Sequence, residues 1–261
     1  MKLLFWNLKK NSINNYLIEC LNENEIDVAV LAEYSGLDFD YIESVSEYSH
    51  IEGFGGSDKI TMLVKTGIEV IVKRESSRYV IYHIVFNGFE YNLVGTHLQD
   101  RIHTDKEIRI LTIGRLVNDL SNLERSSNCN NSMIIGDFNA NPFDDELLRI
   151  SAFNAVLFKK VIEKSETRTV DNKKYRRFYN PILNYLSEDT ETYGSYYHIG
   201  DSNSPIWHSL DQFIVRKPLM NKITDFRYIK TIDGKSLIKS VMPNKDISDH
   251  LPLIVTVLEG E

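Results

Sequence analysis

The run Met133-Ile134-Ile135 is apolar and short, and it stops at Gly136-Asp137-Phe138-Asn139. An apolar run of this length bounded by glycine and polar residues reads as a buried strand, because a helix needs roughly ten residues or more. Side chains alternate along a strand, so Asp137 and Asn139 point to one face at the mouth of a sheet. A carboxylate there can hold a metal ion, and an amide can hold a water or a phosphate oxygen, which makes a hydrolytic site. An Asx-rich turn after a core strand is the other reading of the same residues.

The same grammar recurs along the chain. Ile247-Ser248-Asp249-His250 leads directly into an apolar run over 251–257, so an acid and an imidazole stand at a strand's beginning. An aspartate beside a histidine can fix its tautomer and raise its basicity. Strand-like runs also cover 3–6, 28–32, 60–64, 80–86, 91–96, 132–135, 210–215 and 253–258. Several carry a polar residue at one end: Asn7 closes the first, Glu33 and His97 follow 28–32 and 92–96, and Asp211 opens 212–215. Phe86-Asn87-Gly88-Phe89 predicts a tight hairpin turn, for which Asn-Gly supplies the positive φ angles.

Helix patterns fall between the strands. Ile13, Leu17, Ile18 and Leu21 share a face, as do Ile108, Leu111, Leu116 and Leu120. Thr104 is the predicted N-cap of the second helix, with Glu107 at capping-box spacing. Many strands, several of them antiparallel, with helices interspersed, predict two packed sheets covered by helices outside.

No repeat, low-complexity tract or Gly/Ser linker divides the 261 residues, so 1–261 reads as a single domain. It carries an irregular insertion around 159–207, basic at first and then rich in aromatics. No window has the apolar length of a membrane span, so no membrane anchor is expected. Cys20 and Cys129 are the only cysteines, too few for a disulfide framework, and a reducing cytoplasm is the expected location. The net charge of −7 argues against a protein that coats nucleic acid electrostatically, although a nuclease whose metal supplies local positive charge remains compatible. The local exception is 159–177, where Lys173, Lys174, Arg176 and Arg177 crowd together as either a solvated loop or a contact for a phosphate backbone. The aromatics Phe178, Tyr179, Tyr185, Tyr193, Tyr196, Tyr197 and Trp207 read as loop-packing core, with base stacking as the alternative for any ring exposed near a site.

Collected together, the polar strand ends have the composition of a divalent-metal phosphoesterase, with hard oxygen ligands suited to Mg²⁺ or Mn²⁺ and two imidazoles. In family order, Phe5-Trp6-Asn7, Leu31-Ala32-Glu33, Gly95-Thr96-His97-Leu98, Gly136-Asp137-Phe138-Asn139, Ser209-Leu210-Asp211 and Ser248-Asp249-His250 resemble the endonuclease/exonuclease/phosphatase superfamily. That superfamily includes pancreatic-type deoxyribonuclease, abasic-site endonucleases, neutral sphingomyelinases and inositol-polyphosphate phosphatases. The resemblance implies an α+β fold, a four-layer α/β/β/α sandwich of two packed mixed sheets flanked by helices.

It also implies roles. Glu33 would be the principal metal ligand, with Asn7 beside it and Asp249 as a further metal-site carboxylate. Asp137 would position the attacking water, and Asn139 would hold that water or a phosphate oxygen. His250, oriented by Asp211, would be the base or the imidazole that stabilises the phosphate, and His97 would contact the phosphate and assist the leaving oxygen. Arg101, Lys173, Lys174, Arg176 and Arg177 are the candidate substrate contacts. The implied activity is metal-dependent phosphodiester hydrolysis by in-line attack of water, on DNA or RNA, by a monomer with no inferable protein partner. A phosphomonoesterase of a small metabolite, of inositol-phosphate or sphingomyelinase type, is the alternative.

Two departures separate the chain from the abasic-site enzymes. His97 stands where they carry a tyrosine-containing element, and Ser209 stands where they place an arginine. The histidine resembles the deoxyribonuclease, sphingomyelinase and phosphatase branches instead. No lipid-docking hairpin is visible to favour the sphingomyelinase branch.

Overall fold

A computed structural model describes residues 1–185, 194–198 and 207–259. Two mixed sheets form the body of the molecule. The first has six strands: Lys2–Asn7 (β1), Val28–Ala32 (β2), Tyr48–Ile51 (β3), Ile60–Lys65 (β4), Ile223–Tyr228 (β16) and Leu253–Val257 (β21), in the spatial order β16-β21-β1-β2-β4-β3. The second has seven: Glu69–Ser76 (β5), Tyr79–Phe86 (β6), Phe89–His97 (β7), Ser132–Asp137 (β8), Ala155–Val156 (β9), Phe178–Tyr179 (β12) and Asp211–Val215 (β15), in the order β5-β6-β7-β8-β15-β12-β9. The numbers between belong to two-stranded hairpins, Thr167–Val170 with Lys173–Arg176 (β10, β11), Tyr196–Tyr197 with Trp207–His208 (β13, β14), and two further pairs within 231–243 (β17 to β20).

The alternation of side chains explains the layering. In β8, Met133 and Ile135 enter the core between the sheets, whereas Ile134 joins a second core on the outer face of the seven-stranded sheet. Likewise Phe213 and Val215 of β15 face inward and Ile214 outward, and Leu93 and Val94 of β7 divide the same way. Strands buried on both faces therefore read as continuous apolar runs. The outer core is closed by the helix Lys106–Ser127 (α3; α1 and α2 being Asn14–Glu23 and Phe39–Val45) through Ile110, Ile113, Leu116 and Leu120. On the other side α1 packs Leu17, Cys20 and Leu21 into the inter-sheet core cluster. The sheets pack closely at Gly95, where an added Cβ would lie 2.7 Å from Val30 Cγ1 and 2.8 Å from Ile60 Cγ2.

The Asn-Gly hairpin forms as expected: Phe86 pairs with Phe89, and Asn87 and Gly88 adopt φ of +50° and +82°. Two details of α3 differ from the pattern. Asp105, not Thr104, occupies the cap position, and its side chain makes no capping bond, so the expected capping box is absent. Ile108 and Leu111 are exposed, because the buried stripe runs through Ile110 and Ile113, one turn-phase away from the face that spacing alone suggested. No described helix is long and apolar enough to cross a membrane.

Candidate active site

Register brings the polar strand ends to one place. β1 and β2 run parallel with Asn7 beside Ala32, so Glu33 emerges next to Asn7. β7 and β8 run parallel with His97 beside Asp137, and β15 runs antiparallel to β8 with Asp211 opposite Asp137. β21 runs antiparallel to β1 with Leu253 opposite Phe5, which returns Asp249 and His250 to the same end. A cleft of about 710 Å³ opens there, lined by Asn7, Glu33, His97, Asp137, Asn139, Asp249, His250 and Arg101 among others. Asp211 lies beneath it, fully buried.

The connections are tight. Asn7 Nδ2 donates to Asp137 Oδ2 at 3.2 Å, and Asn139 N–H donates to Asp137 Oδ1 at 2.9 Å. Asn139 Nδ2 donates to the Leu98 carbonyl at 2.9 Å, which leaves its amide oxygen for other company. Glu33 and Asn139 both hold left-handed backbone, φ +49° and +46°, a strained choice for glutamate that recurs at functional sites. His250 Nδ1 lies 2.8 Å from Asp211 Oδ2. A carboxylate only accepts, so Nδ1 carries the proton and Nε2 faces the cleft.

That Nε2 is 3.9 Å from Asp137 Oδ2, and His97 Nε2 is 3.7 Å from the same oxygen and 3.7 Å from Glu33 Oε1. These gaps are too long for hydrogen bonds, and an oxygen of water or phosphate placed among them would touch several groups at once. Asp137, Asp211 and His250 form a group whose ligand atoms lie within 4.8 Å of one another. His97 Nδ1 and Asp211 Oδ1 are buried with no hydrogen-bond partner among the described residues.

Electrostatics separates the two histidines. Burial, with the nearby charges of His250, Arg78 and Lys59, pushes His97 down to about 3 and keeps it neutral. Burial also opposes charge on His250, but Asp211, Asp137 and Asp249 outweigh it and push that imidazole up to about 10. Burial raises the Asp137 carboxyl, with Asp211 adding to the rise and His250 working against it.

Four of the expected substrate cations are not brought to the cleft. Lys173, Lys174 and Arg176 line a separate cavity beside Glu124, Asn130 and Arg216. Arg176 binds Glu124 at 2.7 Å, Glu166 at 2.7 Å and Asn130 Oδ1 at 3.0 Å. Arg177 donates to the carbonyls of Ser165 and Thr167. Asn130 precedes β8 and Asp137 ends it, so this cluster lies at the opposite end of the sheet, roughly 15–20 Å away at about 3.3 Å per residue. The basic segment is a short helix, Lys159–Lys164 (α5, after α4 at Asp145–Leu148), followed by the β10–β11 hairpin, and its arginines hold that hairpin down.

Arg101 does reach the cleft wall, where it donates to the Asn139 carbonyl at 3.2 Å and pairs with Asp144 and Glu146. Phe178 and Tyr179 are core, as expected, and Tyr193 lies outside the described residues. Tyr196 is different: its ring lines the cleft 4.9 Å from that of His250. Lys59, Arg78, Asn141 and His208 also line the cleft, although only Asn141 has a sequence signal, two places after Asn139 in the same polar turn.

No curated protein matches the chain in sequence. Among solved structures, the endonuclease domain of TRAS1, a telomere-specific non-LTR retrotransposon, aligns with 100% of this chain and 99% of its own at TM-score 0.59 and 12% identity. D. rerio TDP2 complexed with a single-strand DNA product aligns over 99% of both chains (0.59, 14%), and an AP endonuclease from Archaeoglobus fulgidus over 98% of this chain and 99% of its own (0.59, 14%). At these identities the likeness speaks for the fold. Residues 4–250 match the sequence profile of the Endonuclease/Exonuclease/phosphatase family, and the chain belongs to that family.

Proposed function

We propose that this chain is a divalent-metal-dependent phosphodiesterase that cleaves polynucleotides by in-line attack of water. The observation that carries the reading is the convergence of His97 Nε2 and His250 Nε2 on Asp137 Oδ2, at 3.7 and 3.9 Å, with Asp211 fixing His250 from behind. Solved structures of like fold include nucleases and one bound to a DNA product, which supports nucleic acid as the substrate.

The donor set fits a hard cation. Glu33, Asn7 and Asp249 offer oxygen donors at the cleft surface, and the buried carboxylates Asp137 and Asp211 add negative charge behind them. Glu33, with Asn7 and Asp249, would hold Mg²⁺ or Mn²⁺, which supplies charge neutralisation at the phosphate oxygens.

The remaining work belongs to the chain's own groups. Asp137 is held by Asn7 and by the Asn139 N–H, and its raised proton affinity suits it to take a proton from the attacking water. His250, charged and oriented by Asp211, stabilises negative charge developing on the phosphate. Neutral His97 donates to a phosphate oxygen from the other wall, and Asn139 orients the water or a phosphate oxygen.

A plasmid-nicking assay beside a small phosphodiester and a small phosphomonoester, each with Mg²⁺ and with chelator, tests the reading. Metal-dependent turnover of plasmid and phosphodiester is expected. Turnover confined to the phosphomonoester would replace it with the phosphatase reading, and full activity in chelator would end both.

A further inference from the structure

We infer that Lys59 and Arg78 form a subsite for a second phosphate of the substrate, beside the scissile phosphate on the Glu33–His97 side of the cleft. The inference rests on the phosphodiesterase reading and deepens it.

Both cations are built onto the site's own strand ends. The Glu33 N–H donates to the Lys59 carbonyl at 3.2 Å, and the His97 N–H donates to the Arg78 carbonyl at 3.0 Å. Thr96 Oγ1 donates to that same Arg78 carbonyl at 3.0 Å, so the turn carrying Arg78, between β5 and β6, is clamped to the end of β7. Main-chain anchoring of this kind fixes where each cation starts, one residue's reach from a catalytic group, and both side chains line the cleft.

The Arg78 charge is uncommitted, and that of Lys59 is only loosely held. The Arg78 guanidinium has no hydrogen-bond or ion-pair partner among the described residues, and the acid beside Lys59 is Asp58, 3.9 Å away and exposed. Arg101, another cleft cation, is instead held by Asp144 and Glu146. A half-buried, unpaired guanidinium presents a planar fork that matches a phosphate bidentately, and a nearby ammonium adds a point charge. The scissile phosphate is already met by His97, His250 and Asn139. Lys59 precedes β4 and Arg78 precedes β6, each one strand beyond Glu33 and His97 from the strands that carry His250 and Asp211, so the group they suit is the next phosphate along. A polynucleotide has one there and a small bisphosphorylated molecule can supply one, whereas a monophosphate cannot.

Binding measured in chelator, without turnover, tests the subsite independently of the catalytic reading. The probe is a labelled short single-stranded oligonucleotide, with a nucleoside 3′,5′-bisphosphate and the 5′-monophosphate as competitors, and thermal melts verify folding. Lys59→Ala with Arg78→Ala should weaken oligonucleotide binding at least tenfold and lower the slope of log affinity against log salt by roughly 0.7 for each contact removed. Arg78→Lys should recover part of the loss, and Lys173→Ser with Lys174→Ser should leave binding unchanged. A bisphosphate that binds directly, by calorimetry, while the oligonucleotide does not would assign the subsite to a small substrate. Unchanged affinity in the folded double variant, an equal loss in the Lys173/Lys174 control, or a bisphosphate and oligonucleotide binding no better than the monophosphate would overturn the proposal. Failure of the phosphodiesterase reading would appear separately, in the nicking assay.

Discussion

Asp211 grips His250 Nδ1 at 2.8 Å from a fully buried position, and neighbouring side chains grip the main chain of both residues. Asp211 N–H donates to Ser195 Oγ at 3.1 Å, Tyr228 OH donates to the Asp211 carbonyl at 2.6 Å, and Ser248 Oγ accepts the His250 N–H at 3.0 Å. Trp6 Nε1 donates to the His250 carbonyl at 3.0 Å, tying the pair to the first strand. The ring therefore has one direction before substrate arrives.

His250→Ala and Asp211→Asn should each lower kcat by about a hundredfold or more, the range of a positioned proton-transfer or charge-stabilising group. The double variant should be scarcely worse than either single one, because residues acting as a unit are not additive. Single-turnover kinetics on a small phosphodiester reads this directly, and additive losses would separate the two residues.

Glu33→Gln should raise the Mg²⁺ concentration needed for half-maximal activity by tenfold or more, since the change removes a formal charge and keeps the shape. Asp137→Asn should instead lower the maximum at saturating Mg²⁺, because it removes the proton acceptor held by Asn7. Metal titrations of the two variants distinguish the roles, and identical titration curves would contradict the division.

The site was largely legible because its residues sit at the ends of short apolar runs, where sequence and sheet register speak the same language. Asp137, Asn139, Asp249 and His250 each adjoin such a run, and the parallel pairing of β7 with β8 was enough to bring His97 alongside. Lys59 and Arg78 were not legible, because a turn residue reaches a cleft through the path of the chain rather than through any local pattern. The segment 159–177 misled for the converse reason: charge density in sequence says nothing about which end of a strand it folds against, and Arg176 and Arg177 are consumed by internal partners. The edge strand β5 was missed because its pattern is mixed and largely exposed, so it lacks the apolar run that marked the central strands.

The buried pair at that far end sets a stability prediction. Arg216 is fully buried, its Nε donates to Glu124 Oε1 at 2.9 Å, and its guanidinium lies 3.8 Å from the centre of the Phe178 ring. Arg216→Ala would leave Glu124 Oε1 without its partner, Arg176 remaining on Oε2, and should cost about 3 kcal/mol. Arg216→Met with Glu124→Leu should cost far less, since neither charge then remains. Urea unfolding measures both, and kcat at temperatures where the variants stay folded should not move, because the pair lies at the other end of the sheet from Asp137. Equal losses for the single and double changes would mean that packing on Phe178, not charge, dominates.

Alkaline pH should unfold the protein through its buried acids. Burial pushes the Cys20 thiol up to about 12 and the Tyr179 phenol up to about 12, and it raises Tyr48, Tyr79, Tyr82 and Tyr228 in the same direction. Below pH of about 8 this thiol and these phenols are neutral in both folded and unfolded chains, so they add no pH dependence there. Above it the unfolded chain releases protons that the folded chain retains. Stability then falls as pH rises toward the folded values, by about 1.4 kcal/mol per pH unit for each proton difference. Urea midpoints should therefore decline gently above neutrality, where folded His250 keeps a proton that the unfolded chain releases, and more steeply once the thiol and phenols join in, and Cys20→Ala should soften the onset of that steeper part. The same thiol, on the buried face of α1, should resist alkylation in native protein at mildly alkaline pH and react on unfolding. A midpoint independent of pH up to about 11 would show that these groups ionise in the fold as freely as outside it.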